Sequence, residues 1–347
     1  MEDNNIFEKE PQWGEDGAPI SEIRKIQRTI RRRSWKNISI SVILAAILLT
    51  VSVFGIIPWA ESLYWNPDEA AYRDCTDLEV TLNAYTELFA PGYNSILVTH
   101  HRTGFASYEL QIHLASNAQD EVLTARGSLE RNVLHLDDFL VSPEGKNYPI
   151  SRRILPDVPP TPSETEALRV QLRSLPDYVR LEAAVTFSED LSMEELVTFW
   201  ENAMQHSMDI TWVAVRSVES TFEPLERIRL NKWIPQCGMD PFTGGKVYPG
   251  VDLDYRYYNK PDSFEPEQLE QHFISLLQYS ADQLEKGRGI AHYGDEELYA
   301  EILDYVEENG VKTYGVVVTA TPKTLLELLD RDSIYDIRLT DCWIDIG

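Results

Sequence analysis

Residues 38–57, ISISVILAAILLTVSVFGII, form a run of twenty positions without a single charge. At about 1.5 Å of rise per residue a helix of that length reaches roughly 30 Å, the thickness of a bilayer's hydrocarbon core. A soluble helix this long ordinarily turns some charge to water, so the run reads as a membrane span. Ahead of it IRKIQRTIRRRSWKN concentrates Arg24, Lys25, Arg28, Arg31, Arg32, Arg33 and Lys36. Behind it come Pro58-Trp59 and Tyr64-Trp65, and the charges that follow are mostly acidic. Basic flanks stay in the cytoplasm and aromatic rings settle at the interface, which places the amino end inside and the bulk outside. A cleaved signal peptide is the rival reading. Thirty-seven preceding residues exceed an ordinary n-region, and Pro58-Trp59-Ala60 makes a poor small-x-small cleavage site. The expectation is a single-pass anchor in the cell membrane.

Charge then narrows the partners. Residues 1–37 hold 8 basic and 7 acidic side chains, so of the chain's 31 and 57, residues 58–347 keep 23 and 50, a net of −27. A surface that acidic repels phosphate backbones and disfavours direct nucleic-acid binding. With 43% hydrophobic and 10% aromatic residues, the outer part has enough apolar content for a packed core. Cys75, Cys237 and Cys342 are far apart and lack CxxC spacing, so they support neither a zinc site nor a redox motif. One disulfide with a leftover thiol stays open, and Cys342 in TDCWIDI reads as a strand core position.

Four regions are expected: a basic cytoplasmic segment (1–37), the span (38–57), a β-rich region (58–160) and an α+β region (161–347). Residues 1–20 are polar and acidic, the composition of a disordered tail. Ile23, Ile26 and Ile30 then fall on one helical stripe opposite a basic face. In the β-rich region TDLEVTLNAY, NSILVTHH and SYELQIHLAS alternate, and NVLHLDDFLV adds another run. LPDVPPTPSETE reads as a linker or rigid corner. Beyond it YVRLEAAVTFSE, LSMEELVTFWENAM and DITWVAVRS give strand, helix, strand. GVKTYGVVVTA, TPKTLLELLDR and SIYDIRLTDCWI repeat the order. Two β-α-β units predict a ferredoxin-like sheet with its helices on one face.

Chemical motifs are few. Thr319 to Thr324, TATPKT, has the strand–turn–helix layout of a phosphate loop but no glycine, and Pro322 lacks an N–H donor. Thr321 fits an N-cap with Pro322 at N1, and Asn309-Gly310 fits the end of the preceding helix. In CGMDPFTGGKV the glycine spacing is one residue too long for a Walker loop, and Val247 follows Lys246. With Tyr248, Tyr255 and Tyr257 that stretch is a candidate recognition loop, weighed against an ordinary irregular one. His100 and His101 point to opposite faces of a strand, so they do not share a metal. His101 and His113 share a face only if the turn between them keeps register, and His135 follows further on. Acidic pairs Glu189-Asp190, Glu194-Glu195 and Glu307-Glu308 are assigned to helix starts or solvated faces. No H-E-x-x-H or G-x-S-x-G occurs. No catalytic, cofactor or metal residue is named, and the chain is read as a non-enzyme.

LDYVEENGVKTYGVVVTATPKTLLELL resembles the C-terminal domain of membrane-anchored sigma factor regulators, anti-sigma proteins of Gram-positive bacteria. The basic segment and span resemble that family's amino half, so the likeness covers residues 22–60 and 165–347. It implies a membrane protein that holds an extracytoplasmic-function sigma factor and releases it under envelope stress, its outer domain binding an unknown signal. Two departures stand out: the inner segment has only 37 residues, and it lacks the HxxxCxxC pattern of zinc-dependent anti-sigma factors. Contact with the sigma factor, direct or through a membrane co-regulator, is assigned to Ile23, Ile26, Ile30, Arg31, Arg32 and Arg33. An envelope enzyme, or a cell-wall assembly or adhesion module, is the alternative.

Overall fold

The computed structural model describes residues 20–72, 75–116, 122–136, 161–204, 208–217, 238–239, 265–290 and 296–344. Two compact units divide the chain, Met1–Leu63 and Tyr64–Gly347. In the first, helix α1 (Ile20–Val51) runs into a π turn (Ser52–Ile56) and then α2 (Ile57–Glu61). Pro58 explains the widened turn. Its ring pushes on the carbonyl one turn back and it has no N–H, so the ordinary ladder cannot pass through. The Ile57 N–H instead donates to the Ser52 carbonyl, five residues back, and the helix continues. Arg24–Glu61 is long and apolar enough to cross a membrane, and none of its apolar window is buried.

The second unit opens with a short hairpin, β1 (Ala70–Tyr72) and β2 (Cys75–Thr76), followed by helix α3 (Asp77–Phe89). Strands β3 (Tyr93–Gly104), β4 (Ser107–Ser116), β5 (Val122–Glu130) and β6 (Val133–Leu136) make an antiparallel meander. Helix α4 (Pro162–Ser174) leads into β7 (Val179–Ser192), α5 (Met193–Met204), β8 (Asp209–Val215) and the short β9 (Gly238–Met239). Then come α6 (Pro266–Glu285), β10 (Gly289–Ile290), α7 (Glu296–Asn309), β11 (Lys312–Ala320), α8 (Pro322–Leu329) and β12 (Ile334–Ile344). The first sheet has strand order β10-β6-β5-β4-β3, with β10 parallel to β6. The second has order β12-β7-β11-β8-β9 and is antiparallel throughout.

Apolar residues at alternate positions of β7 and β11 (Leu181, Ala183, Val185, Phe187; Val316, Val318, Ala320) join Leu196, Trp200, Leu325 and Leu328 in the main core. That core also takes in Leu78, Leu82 and Leu88 of α3 and Leu110, Ile112 and Leu114 of β4. The other face of the second sheet buries Ala184, Trp212, Ala214, Tyr314 and Val317 as a separate cluster. Helix ends follow the caps read from sequence. The Thr321 hydroxyl accepts from the Thr324 N–H at 3.2 Å with Pro322 behind it, and Gly310 sits at φ +74° after α7.

Three expectations change. TDLEVTLNAY is the body of helix α3, opened by a capping box in which Thr76 and Glu79 satisfy each other's backbone N–H. In LPDVPPTPSETE the end is helix: Thr161 and Glu164 form a second box at the start of α4. Cys342 is exposed, because β12 has β7 as its one partner among the described strands and the end of the strand faces outward.

Candidate functional site

The segment that follows the apolar helix in sequence, residues 64–69, is held by four different parts of the second unit. Hairpin tips supply the first contacts. Phe105 meets the Tyr64 ring edge-on at 5.7 Å, and the Arg131 guanidinium lies 6.0 Å from the same ring. Arg131 reaches it from φ +61°, a backbone region that side-chain-bearing residues seldom occupy, and its N–H donates to the Ala106 carbonyl at 2.6 Å. Next to it, Asn132 accepts the Trp65 N–H on its side-chain oxygen at 2.8 Å, while its carbonyl accepts from Gly289. The Trp65 side chain is 2% exposed.

Arg288 closes the arrangement. Its guanidinium lies over the Trp65 ring at 5.6 Å and donates to Glu69 and to Asp77, 2.6 Å in each case. Asp77, the first residue of α3, also accepts from Tyr279 and Gln283 of α6 at 2.9 Å each, and its N–H donates to the Glu69 carbonyl at 2.7 Å. Burial and the adjacent Asp77 charge both push the Tyr279 hydroxyl well above the usual phenol range, so it remains a neutral donor. One helix turn past the middle of α3, Glu87 meets His272 of α6 at 2.9 Å and accepts from Asn83 at 3.0 Å. Its carbonyl accepts the Trp212 indole N–H from the second sheet. Polar bonds therefore link residues 65–69 through α3 and α6 to both sheets. Chemically this joint is a network of directional, charge-assisted contacts.

The residues named from sequence are dispersed. Ile26 and Ile30 lie one turn apart on α1, both exposed; Ile23 belongs to the same helix. At about 100° per residue Lys25, Arg28, Arg32 and Lys36 line the opposite side, where they border a shallow groove. Arg33 flanks the isoleucine stripe, Arg31 lies about a quarter-turn round on its other side and Arg32 faces away, so the three arginines do not act from one face. Tyr248, Tyr255, Tyr257 and Cys237 fall outside the described residues.

In the meander His101 stands opposite Glu109 and His113 opposite Leu97, which puts both histidines on one face but four residues apart along it. His100 turns away, to Asp68 at 3.3 Å. No cluster of three or more metal-ligating side chains occurs among the described residues. Glu194 and Glu195 do open α5, whereas Asp190 departs from its assignment: it binds Arg216 bidentately at 2.8 Å, with the Tyr314 ring 4.5 Å below. Burial alone would lower the Arg216 pKa; the hydrogen bond and charge of Asp190 outweigh it and raise the value.

Asp77, Asn132, Tyr279, Gln283 and Arg288 escaped the sequence reading. One signal was present. His272, Tyr279 and Gln283 recur at spacings of seven and four on α6, polar residues on the stripe that carries Leu269, Leu276 and Leu284.

A family model for the sigma factor regulator C-terminal domain matches residues 172–341, from α4 to β12. The YVEENGVKTYGVVVT stretch lies inside the match, and residues 22–60 lie outside it. No curated protein and no solved structure matches the chain.

Proposed function

We propose, because residues 172–341 match the family model of the sigma factor regulator C-terminal domain, that the chain is a membrane-bound, anti-sigma-type regulator of an extracytoplasmic-function sigma factor. The family match is the observation that carries this reading. The basic flank before the apolar helix supports a cytoplasmic amino end, with residues 64–347 outside. In this layout residues 1–37 meet the sigma factor or a membrane co-regulator, 38–57 cross the bilayer, and 58–160 and 161–347 form the outer part. The strand order β12-β7-β11-β8 interleaves the two β-α-β units as a ferredoxin-like sheet does, and supports that assignment for the second sheet.

In this reading the chain works by binding rather than by catalysis. A signal bound outside shifts the joint around residues 64–69, and the continuous helix from Ile20 to Glu61 carries the shift inward. The exposed Ile26–Ile30 stripe, with Arg33 beside it, is the inner contact surface. Affinity purification of the full chain from solubilised membranes is expected to bring down the sigma factor, and an Ile26→Glu/Ile30→Glu chain to lose it at unchanged membrane levels. Unchanged sigma-dependent transcription in a deletion strain would sink the reading.

A further inference from the structure

The open face of the meander carries a second arrangement, separate from the joint. Register places His101, Glu109, Ser128 and His135 in one row across β3, β4, β5 and β6, and Thr99, Gln111 and Arg126 in the next. Together they border a groove of about 740 Å³. Strands lie about 4.8 Å apart, so His101 and His135 are roughly 14 Å from each other, too far to share a metal ion. Gln111, Arg126, Ser128 and His135 have no side-chain partner among the described residues and remain available to a ligand.

Charge selects the ligand. Residues 58–347 carry a net −27, yet the described side chains on this face of the groove include one guanidinium, Arg126, two imidazoles, His101 and His135, and one carboxylate, Glu109. A free arginine flanked by amide and hydroxyl groups matches an oxyanion attached to a hydroxyl-rich body. Volume excludes a bare phosphate as the full occupant, since pockets of about 300–1,000 Å³ hold ligands of several rings or residues. Among the described lining residues the apolar side chains, Leu110 and Leu136, are buried and half-buried and form no exposed strip for an acyl chain. We infer that the groove binds an anionic saccharide, a soluble sugar carrying a phosphate or carboxylate. Arg126 clasps the oxyanion, and Thr99, Gln111, Ser128 and the imidazoles of His101 and His135 exchange hydrogen bonds with the hydroxyls. The groove alone carries this inference; the sigma-factor reading is not needed for it.

The test uses the full chain in nanodiscs of neutral phospholipid, titrated calorimetrically with glucose 6-phosphate, glucuronic acid, glucose and inorganic phosphate. The two anionic sugars are expected to bind, with glucose and phosphate weaker by about tenfold or more, as the loss of a charge-assisted contact implies. Arg126→Gln should weaken the anionic sugars by a similar factor and leave glucose unchanged. Because Arg126 is exposed, the thermal midpoint of that variant should match the parent. Selective shifts of the His101 and His135 imidazole resonances, with the buried His272 signal unmoved, would locate the ligand. Heat from none of the four compounds overturns the proposal. So does equal binding by Arg126→Gln, and so does phosphate binding as tightly as the sugar phosphate.

Discussion

Glu87 and His272 are 1% exposed each, and their ring-to-carboxylate contact of 2.9 Å is the most deeply buried pair in the joint. Removing one member of a buried pair strands the other without water, which costs about 3–5 kcal/mol, whereas replacing both with apolar groups of similar volume is far milder. Glu87 makes the case sharper because Asn83 donates to its second oxygen. Glu87→Leu and His272→Leu are therefore each expected to lose about 3 kcal/mol in denaturant unfolding of the full chain in detergent. The double variant should lose at least about 1 kcal/mol less than the sum of the singles. Strict additivity would show that the pair contributes no coupling. The same logic separates these residues from the glutamates on exposed faces such as Glu307 and Glu308, which the sequence reading placed correctly in solvent.

Helix α3 shows why parts of this architecture were illegible. In TDLEVTLNAY, Leu78, Val80, Leu82 and Ala84 alternate with polar residues, the signature of a half-buried strand. The structure buries nearly every residue from Asp77 to Phe89, polar ones included, so no solvated face marks a helical period. Only the Thr76–Glu79 capping box betrayed the helix. Thr76→Ala should accordingly cost about 1 kcal/mol of stability, a value near zero meaning that packing alone defines the helix start. Where one face of an element meets water, as in β4 or α5, the pattern was readable. So was the order of the two β-α-β units, because apolar β7, β8 and β11 are framed by caps at Thr321 and Gly310. The joint was not, since its members come from residues as distant as Glu69 and Arg288.

Another element-scale consequence concerns α6, where burial first, then Glu194 and Glu267, raise the Glu270 pKa. An acid whose folded pKa is raised binds more protons folded than unfolded between the two values, so its contribution to stability falls as pH rises through that window. Glu270→Gln should stabilise the chain at neutral pH by no more than about 0.5 kcal/mol, as expected for a partly exposed site. The gain should disappear below the ordinary carboxylate range. A thermal midpoint that gains equally at both pH values would contradict this origin.

At the scale of the whole molecule, the proposed function asks how the second unit, with its own core, would bias a helix that begins some forty residues before it. The chain leaves Glu61 and within eight residues is fixed at Trp65 by Asn132 and at Glu69 by Arg288. Arg288 is the shared cation of Glu69 and Asp77, so it joins the entry segment to α3 and the α6–β10 turn at a single point. Its side chain is 16% exposed and that of Glu69 46%, which moderates the electrostatic share; loss of the guanidinium should cost about 1–3 kcal/mol rather than the full buried-pair penalty. Arg288→Gln is thus expected to leave the second sheet folded while freeing residues 64–76. Amide hydrogen exchange on the full chain in nanodiscs should accelerate there by about tenfold or more, with β7 and β11 unchanged. In cells the same variant should reach the membrane at the parental level yet shift sigma-dependent transcription without any signal. Uniformly faster exchange would mean that Arg288 merely stabilises the fold. Faster exchange confined to residues 64–76 with transcription unmoved would mean that the joint is rigid for reasons unrelated to signalling.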